Sequence, residues 1–229
     1  DQRIGQSLGL LESTIASLSQ PDCIPQVEVA AGDDTLAIVI RHLDALCEAD
    51  LITLSTLGQQ TGWHVYLQPK GPDTIARLWP SKGPERLAYR IGEYGLEYQF
   101  AVTDFTQVNA AMNRKMMVQA VDLLELKGTE RVLDLFCGLG NFTLAVATRC
   151  ASVVGVEVSK TMVERVHHNA RHNSLDNVSA GAFDLTQPIA EQQFSKESWD
   201  TLIVDPPRSG AKEVLEALPV ELSKVLRGQ

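Results

Sequence analysis

The chain has 229 residues, 44% of them hydrophobic and 21% charged, with a formal net charge of −9. That is the composition of an ordinary globular protein, long enough for one large domain or two small ones and able to bury a core without staples. Its longest apolar runs, 36–40 and 153–156, are strand-sized and too short to span a membrane, and the absence of a leader-like opening sets the expectation of a cytoplasmic protein.

From the N-terminus, Ile4, Leu8, Leu11, Ile15 and Leu18 fall at helical spacing and predict a helix over 4–18. Strands are expected at 26–30 and 35–41, joined by a hairpin turn at Gly32-Asp33-Asp34. A helix over 43–57 ending at Gly58 follows, then a strand at 63–68. The Pro/Gly-rich stretch 69–84 reads as loop with a short strand at 76–79, and 90–100 as strand, turn and strand. Residues 1–104 are thus expected to form a small α+β domain, with a boundary near Asp104.

Beyond that boundary the pattern changes. A helix is predicted over 109–126, with Met112, Met116, Ala120, Leu123 and Leu124 on its core side and Gly128 as the stop. Strands at 131–136, 152–157, 178–182 and 201–205 then alternate with helices opening at 142 and 160, and 213–226 reads as helical with a break at Pro219. Such alternation predicts a Rossmann-like parallel sheet over 105–229 with helices on both faces. Ligands of these sheets bind beyond the carboxyl ends of the strands, so the residues just after each strand matter most.

The first of these strands runs into Asp134-Leu135-Phe136-Cys137-Gly138-Leu139-Gly140-Asn141-Phe142-Thr143. Gly138 and Gly140 let the backbone turn tightly, either as a plain sharp turn or to approach a ligand held at the following helix N-terminus. A dinucleotide fingerprint needs a third glycine where Thr143 stands, so NAD and FAD are disfavoured. Asp134 suits a site receiving a positively charged ligand, and S-adenosylmethionine carries both an ammonium and a sulfonium. Glu157 ends the second strand, where a carboxylate can accept both ribose hydroxyls. Asp184, after the third strand, reads equally as a partner for an adenine amine and as a turn residue. After the fourth strand, Asp205-Pro206-Pro207-Arg208 makes a stiff loop with few N–H groups, suited to holding a substrate ring.

Together these segments resemble the class I S-adenosylmethionine-dependent methyltransferases. Asp104-Phe105-Thr106-Gln107-Val108-Asn109, taken with Leu135–Thr143 read residue by residue above, is similar to the RNA uracil-C5 methyltransferases, in particular the bacterial 23S ribosomal RNA type that carries an iron–sulfur centre. The resemblance is strong over the second half and loose over the first, which looks like the central domain of those enzymes. It implies that Gln107, Phe136, Asn141, Glu157, Asp184 and Asp205 contact S-adenosylmethionine or border the target base, with Asp134, Gly138 and Gly140 lining the loop. It also implies 23S ribosomal RNA as the partner, with no role for DNA or membrane.

Departures from the family pattern matter as much. Uracil C5 is a poor nucleophile, and the family adds a cysteine thiolate to C6 before C5 attacks the methyl, after which a general base removes the C5 proton. Those two residues are expected beyond the strand that follows Asp205-Pro206-Pro207-Arg208, and so beyond Gln229. Only 21 residues follow Arg208 and none is Cys. This chain is therefore expected to bind cofactor without supplying the nucleophile, to be part of something longer, and to self-associate through an exposed sheet edge. Cys137 and Cys150 are expected to pack, Cys23 and Cys47 to be buried small residues, and no cysteine spacing suits the family's 4Fe–4S cluster. Much of the RNA-binding charge is expected to lie in a module outside this chain, since 1–104 holds seven Lys/Arg against 14 Asp/Glu and 105–229 holds 13 against 15. His167, His168 and His172 read as a solvated helix face, and Met112, Met116 and Met117 as core packing. Two alternatives stay open: a methyltransferase acting directly on another RNA or a small molecule, and a non-catalytic binding module.

Overall fold

The helix at the N-terminus, α1 (Gln2–Ala16), starts where Asp1 accepts the Arg3 N–H at 2.8 Å. Strands β1 (Gln26–Ala31) and β2 (Leu36–Arg41) form the expected antiparallel hairpin. Helix α2 (Glu48–Thr61), β3 (His64–Gln68) parallel to β2, and β4 (Ala76–Trp79) antiparallel to β3 complete a four-stranded sheet of order β1-β2-β3-β4. Leu36, Ile38 and Ile40 project from one face of β2 into a core with Leu11, Leu54, Leu57, Trp63 and Val65. The sequence placed α2 over 43–57 with Gly58 as its stop; instead it ends at Gly62, whose φ of 72° is the left-handed cap. Gly58 lies inside the helix because a Cβ there would overlap the Trp79 ring, so close packing of α2 on β4 outweighs the roughly 1 kcal/mol cost of an interior glycine. Cys23 is buried as expected, whereas Cys47, the residue preceding α2, is exposed.

The chain passes through a two-stranded sheet, β5 (Leu87–Ile91) and β6 (Leu96–Phe100), and divides into two units, 1–89 with 99–104 and 90–98 with 105–229. The second unit thus takes in 90–98 from the N-terminal side of Asp104. Side-chain bonds account for this: Asn173 both accepts the Glu97 N–H at 2.9 Å and donates to its carbonyl at 2.8 Å, and Arg114 pairs with Glu93 at 2.6 Å.

The second unit continues with α3 (Ala110–Leu124), β7 (Arg131–Leu135), α4 (Asn141–Ala147), β8 (Ser152–Glu157), α5 (Lys160–His172), β9 (Val178–Ala182), α6 (Gln193–Lys196), β10 (Thr201–Val204) and β11 (Lys224–Arg227). The structure, a computed structural model, describes residues 1–185, 187, 193–208, 210–212, 214 and 224–227. Strands β11-β10-β7-β8-β9 form a parallel sheet in that order, which is the Rossmann-like fold expected for this half. Leu133 and Leu135 pack with Val156, Trp199, Leu202 and Val204 on one face. Val132 and Asp134 point to the other, and both are buried, as a sheet covered on both faces requires.

Two expectations about this unit are corrected. Residues 224–226, read as the end of a helix, belong to a strand paired with β10; backbone pairing at the sheet overrides helical propensity there. Most of the helix expected over 213–226 lies outside the described residues. So does Gln229, beyond which the family's cysteine nucleophile and general base are expected; β11, the strand after Asp205-Pro206-Pro207-Arg208, ends two residues before it. Helix α3 buries Asn113, Met117, Ala120, Val121 and Leu124, while Met112 is 58% and Leu123 59% exposed. Its core stripe is turned from the one expected, and of the three methionines only Met117 is fully buried, with Met116 partly so.

Candidate functional site

The site is built where β7 ends. Phe136 adopts a φ of 63°, a left-handed conformation uncommon for a non-glycine residue, and Gly138 and Gly140 follow at 55° and 94°. Three such residues in five fold the chain back on itself: the Cys137 N–H reaches the Val156 carbonyl at 3.1 Å and the Gly140 N–H returns to the Cys137 carbonyl at 2.9 Å. Helix α4 starts immediately, but with seven residues it brings little dipole; its contribution is Asn141.

Glu157, at the end of β8, closes onto this loop. One carboxylate oxygen accepts the Gly138 N–H and the other the Ser159 N–H, each at 3.1 Å. The Glu157 carbonyl accepts the Phe183 N–H at 2.8 Å, which brings Asp184 to the same end of the sheet. Asp184 also makes a turn, its carbonyl accepting the Gln187 N–H at 2.9 Å, which matches its reading as a turn residue. Asp205 follows β10, with its N–H 3.4 Å from the Leu135 carbonyl, and burial raises its carboxyl above the usual range.

Beneath the loop, Asp134 is 1% exposed. Its Oδ2 accepts the Thr143 hydroxyl at 2.6 Å, whereas Oδ1 finds no hydrogen-bond donor among the described residues. Gly155 stands opposite Asp134 on β8, and a Cβ there would come within 2.8 Å of the Cys137 sulfur, so a glycine is what lets this buried cluster form. Burial pushes the Asp134 carboxyl up to about 7; the Thr143 hydrogen bond opposes the rise, and Asp205 and Glu157 add to it. The Cys137 thiol is driven well above its ordinary value by the same burial and by Asp134, so it stays protonated. Cys150, also buried, is raised to about 11.

The sign of the resulting pH dependence is fixed. A carboxyl held at about 7 when folded and 3.8 when unfolded takes up a proton on folding, so its contribution to stability falls as pH rises across that window, by on the order of a few kcal/mol. Thermal unfolding from pH 5 to pH 8 is expected to show the wild type losing stability relative to Asp134→Asn, which cannot titrate. Parallel profiles in the two proteins would overturn this assignment.

The structure thus brings Asp134, Phe136, Gly138, Gly140, Asn141, Glu157, Asp184 and Asp205 to one end of the parallel sheet. Gln107 is exposed two residues before Asn109, the N-cap of α3, and no described hydrogen bond ties it to the loop. Three residues that sequence reasoning missed hold the site together: Thr143 beneath Asp134, Tyr98, whose hydroxyl donates to the Asn141 carbonyl at 2.9 Å, and Asn113, whose carboxamide pairs with that of Asn141. Nothing in the sequence singled out Asn113, since hydropathy alone places an asparagine on the solvent face of a helix.

The residues present fit S-adenosylmethionine: a glycine-lined turn, an acid at the end of β8 for a diol, and a buried carboxylate oxygen in want of a donor beside two further acids. Among the described residues no group of three or more His, Cys, Asp or Glu side chains could hold a metal ion, so no step is assigned to a 4Fe–4S cluster. His172 lies exposed and contacts Glu97 at 3.0 Å, while His167 lies 3.1 Å from the Ala180 carbonyl. Among the described residues no helix is long and apolar enough to cross a membrane.

Comparison with known proteins points the same way. Residues 84–226 match the family model described as tRNA (Uracil-5-)-methyltransferase. The chain is 48% identical over 216 residues to the 23S rRNA (uracil(1939)-C(5))-methyltransferase RlmD of Alcanivorax borkumensis, covering 94% of this chain and 48% of that protein. It is 49% identical over 221 residues to the protein of the same name from Hahella chejuensis, covering 95% and 50%. The chain spans about half the length of the curated relatives it matches. Among solved structures it is similar to the Pyrococcus abyssi tRNA (uracil-54, C5)-methyltransferase in complex with S-adenosyl-L-homocysteine, with a TM-score of 0.62 at 19% identity over 82% of this chain and 45% of that one, a likeness of fold.

Proposed function

Because the chain belongs to the tRNA (uracil-5-)-methyltransferase family, we propose that it carries the cofactor-binding part of an S-adenosylmethionine-dependent enzyme that methylates C5 of a uridine in 23S ribosomal RNA. The observation that carries this reading is the closure of Glu157 onto the Gly138 loop beside the buried Asp134. Family membership supports the uracil-C5 chemistry, and the names of the curated relatives support 23S rRNA over tRNA as the substrate.

S-adenosylmethionine supplies an electrophilic methyl when bound. In this reading Glu157 accepts the ribose hydroxyls and Asp184 the adenine amine, while Asn141 and Phe136 border the cofactor. Asp134 and Asp205 keep that end of the sheet acidic toward a cationic ligand. Gln107 and the stiff Asp205-Pro206-Pro207 segment flank the target base. The thiolate that must add to uracil C6 is not Cys137, whose burial keeps it protonated and packed against Gly155. Nor does any cysteine follow Cys150 in the sequence as far as Gln229.

Calorimetric titration of the 229-residue chain with S-adenosylhomocysteine tests the reading, with NAD as a control, beside an assay of methyl transfer from labelled S-adenosylmethionine to unmodified 23S rRNA. Saturable binding of the homocysteine and not of NAD, with no transfer by this chain alone, is expected. Transfer by this chain alone to an amine or a small molecule would favour a direct methyltransferase, and a folded chain that binds neither ligand would favour a non-catalytic module.

A further inference from the structure

We propose that Asn113 is the positioning residue of the cofactor site, fixing the orientation of the Asn141 carboxamide and through it the affinity for S-adenosylhomocysteine and S-adenosylmethionine. This rests on the cofactor reading above. Asn113 is 5% exposed and occupies the first place of the stripe that α3 turns to its core, ahead of Met117, Ala120, Val121 and Leu124. A carboxamide buried in an apolar stripe must be paired, and its partner is the first residue of α4. Asn113 donates Nδ2 to Asn141 Oδ1 at 3.1 Å, and Asn141 donates Nδ2 to Asn113 Oδ1 at 2.8 Å.

This cyclic pair has a physical consequence. The χ2 torsion of asparagine is broad and roughly two-fold, so an unpaired Asn141 amide samples orientations that exchange its donor and acceptor edges. A primary amide carries two N–H groups and two carbonyl lone pairs; the reciprocal bonds engage one of each and so dictate the directions of the others. The Asn141 main chain is held as well, its carbonyl accepting the buried Tyr98 hydroxyl at 2.9 Å and Gly140 before it bending the chain at a φ of 94°. With the backbone fixed by Tyr98 and Gly140, the remaining freedom of Asn141 is its amide, and Asn113 removes it. Asn113 itself acts on the ligand only through Asn141.

The test is titration of the chain with S-adenosylhomocysteine for wild type, Asn113→Leu, Asn141→Ala and the double variant, each with a thermal melt. Leucine is close to asparagine in shape and suits the apolar stripe, which offsets part of the cost of leaving the Asn141 amide without its partner. Asn113→Leu is therefore expected to stay folded with a melting temperature within several degrees of wild type yet bind roughly five- to tenfold more weakly. The double variant is expected to bind no more weakly than Asn141→Ala alone, because the two residues act as one unit. Asn113→Ser, polar but too short to reach Asn141, is expected to weaken binding equally and decides the matter should the leucine variant fail to fold. Wild-type affinity in a folded Asn113 variant, or losses that add in the double variant, would overturn the positioning role alone. A folded wild type that binds no S-adenosylhomocysteine would bring down the cofactor reading, and the positioning role with it.

Discussion

Glu157→Ala is expected to lower S-adenosylhomocysteine affinity by about 100-fold or more, the largest binding effect of any single substitution in this chain. The carboxylate does two jobs with one group. It ties the Gly138 N–H and the Ser159 N–H together at 3.1 Å each, fixing the loop after β7 against the start of α5, and it ends β8 where a ribose diol would be received. Hydrogen bonds to a carboxylate contribute about 1.5–3 kcal/mol apiece, and losing the two made to a ribose diol converts to roughly two to four orders of magnitude in affinity. Glu157→Gln keeps one acceptor oxygen but replaces the other with an NH2 donor and loses the charge, so an intermediate loss is expected. Calorimetry with both variants, checked for folding by circular dichroism, measures this. A Glu157→Ala protein that binds within twofold of wild type would remove Glu157 from the site.

The largest expected effect on stability is that of Gly140→Ala. At a φ of 94° the backbone excludes an ordinary side chain, and a Cβ would overlap the fully buried Leu144 Cδ1 and press on Val166 at 3.4 Å. Neither neighbour has room to withdraw, because Leu144 and Val166 are both 0% exposed. Left-handed strain costs about 1–2 kcal/mol and overpacking about 1–3 kcal/mol, so a total of about 2–5 kcal/mol is expected, a fall in melting temperature of roughly 5–15 °C. Gly138→Ala is the internal control: at a φ of 55° nothing lies within 4 Å of its added Cβ, so only the strain of about 1–2 kcal/mol applies. Equal melting temperatures for the two variants would show that the crowding at Leu144 relaxes without cost.

The order of strands and helices in the second unit was legible because a parallel sheet covered on both faces is made of short, mostly apolar strands, and 132–135, 153–156 and 202–204 are that apart from Asp134. The acids and glycines at their ends were legible for the same reason: once the strands are placed, whatever follows them lies at the ligand end. The face of α3 was not legible. Met112 and Leu123 are as hydrophobic as Met117 and Val121, and periodicity alone ranks the two stripes alike. What turns the helix is Asn113, a residue that hydropathy assigns to the surface. Gly58 misled for a related reason, since a glycine that ends a helix and one that admits a neighbouring ring read identically in one dimension.

By itself the sequence determined the alternation that makes a parallel sheet, the glycine turn after the first of its strands, and the carboxylates at the strand ends, because each depends on residues adjacent along the chain. Tertiary structure alone decided which way α3 faces, which glycine lets a helix approach its sheet, that 224–227 pairs as a strand, and that Asp134 is sealed under the loop with one oxygen lacking a donor. These depend on what lies across the gap: the Asn141 amide, the Trp79 ring, the edge of β10 and the Thr143 hydroxyl. Such partners are 9 to 28 positions away in sequence and a few ångströms away in space, and hydrogen bonding and packing act only over the second distance.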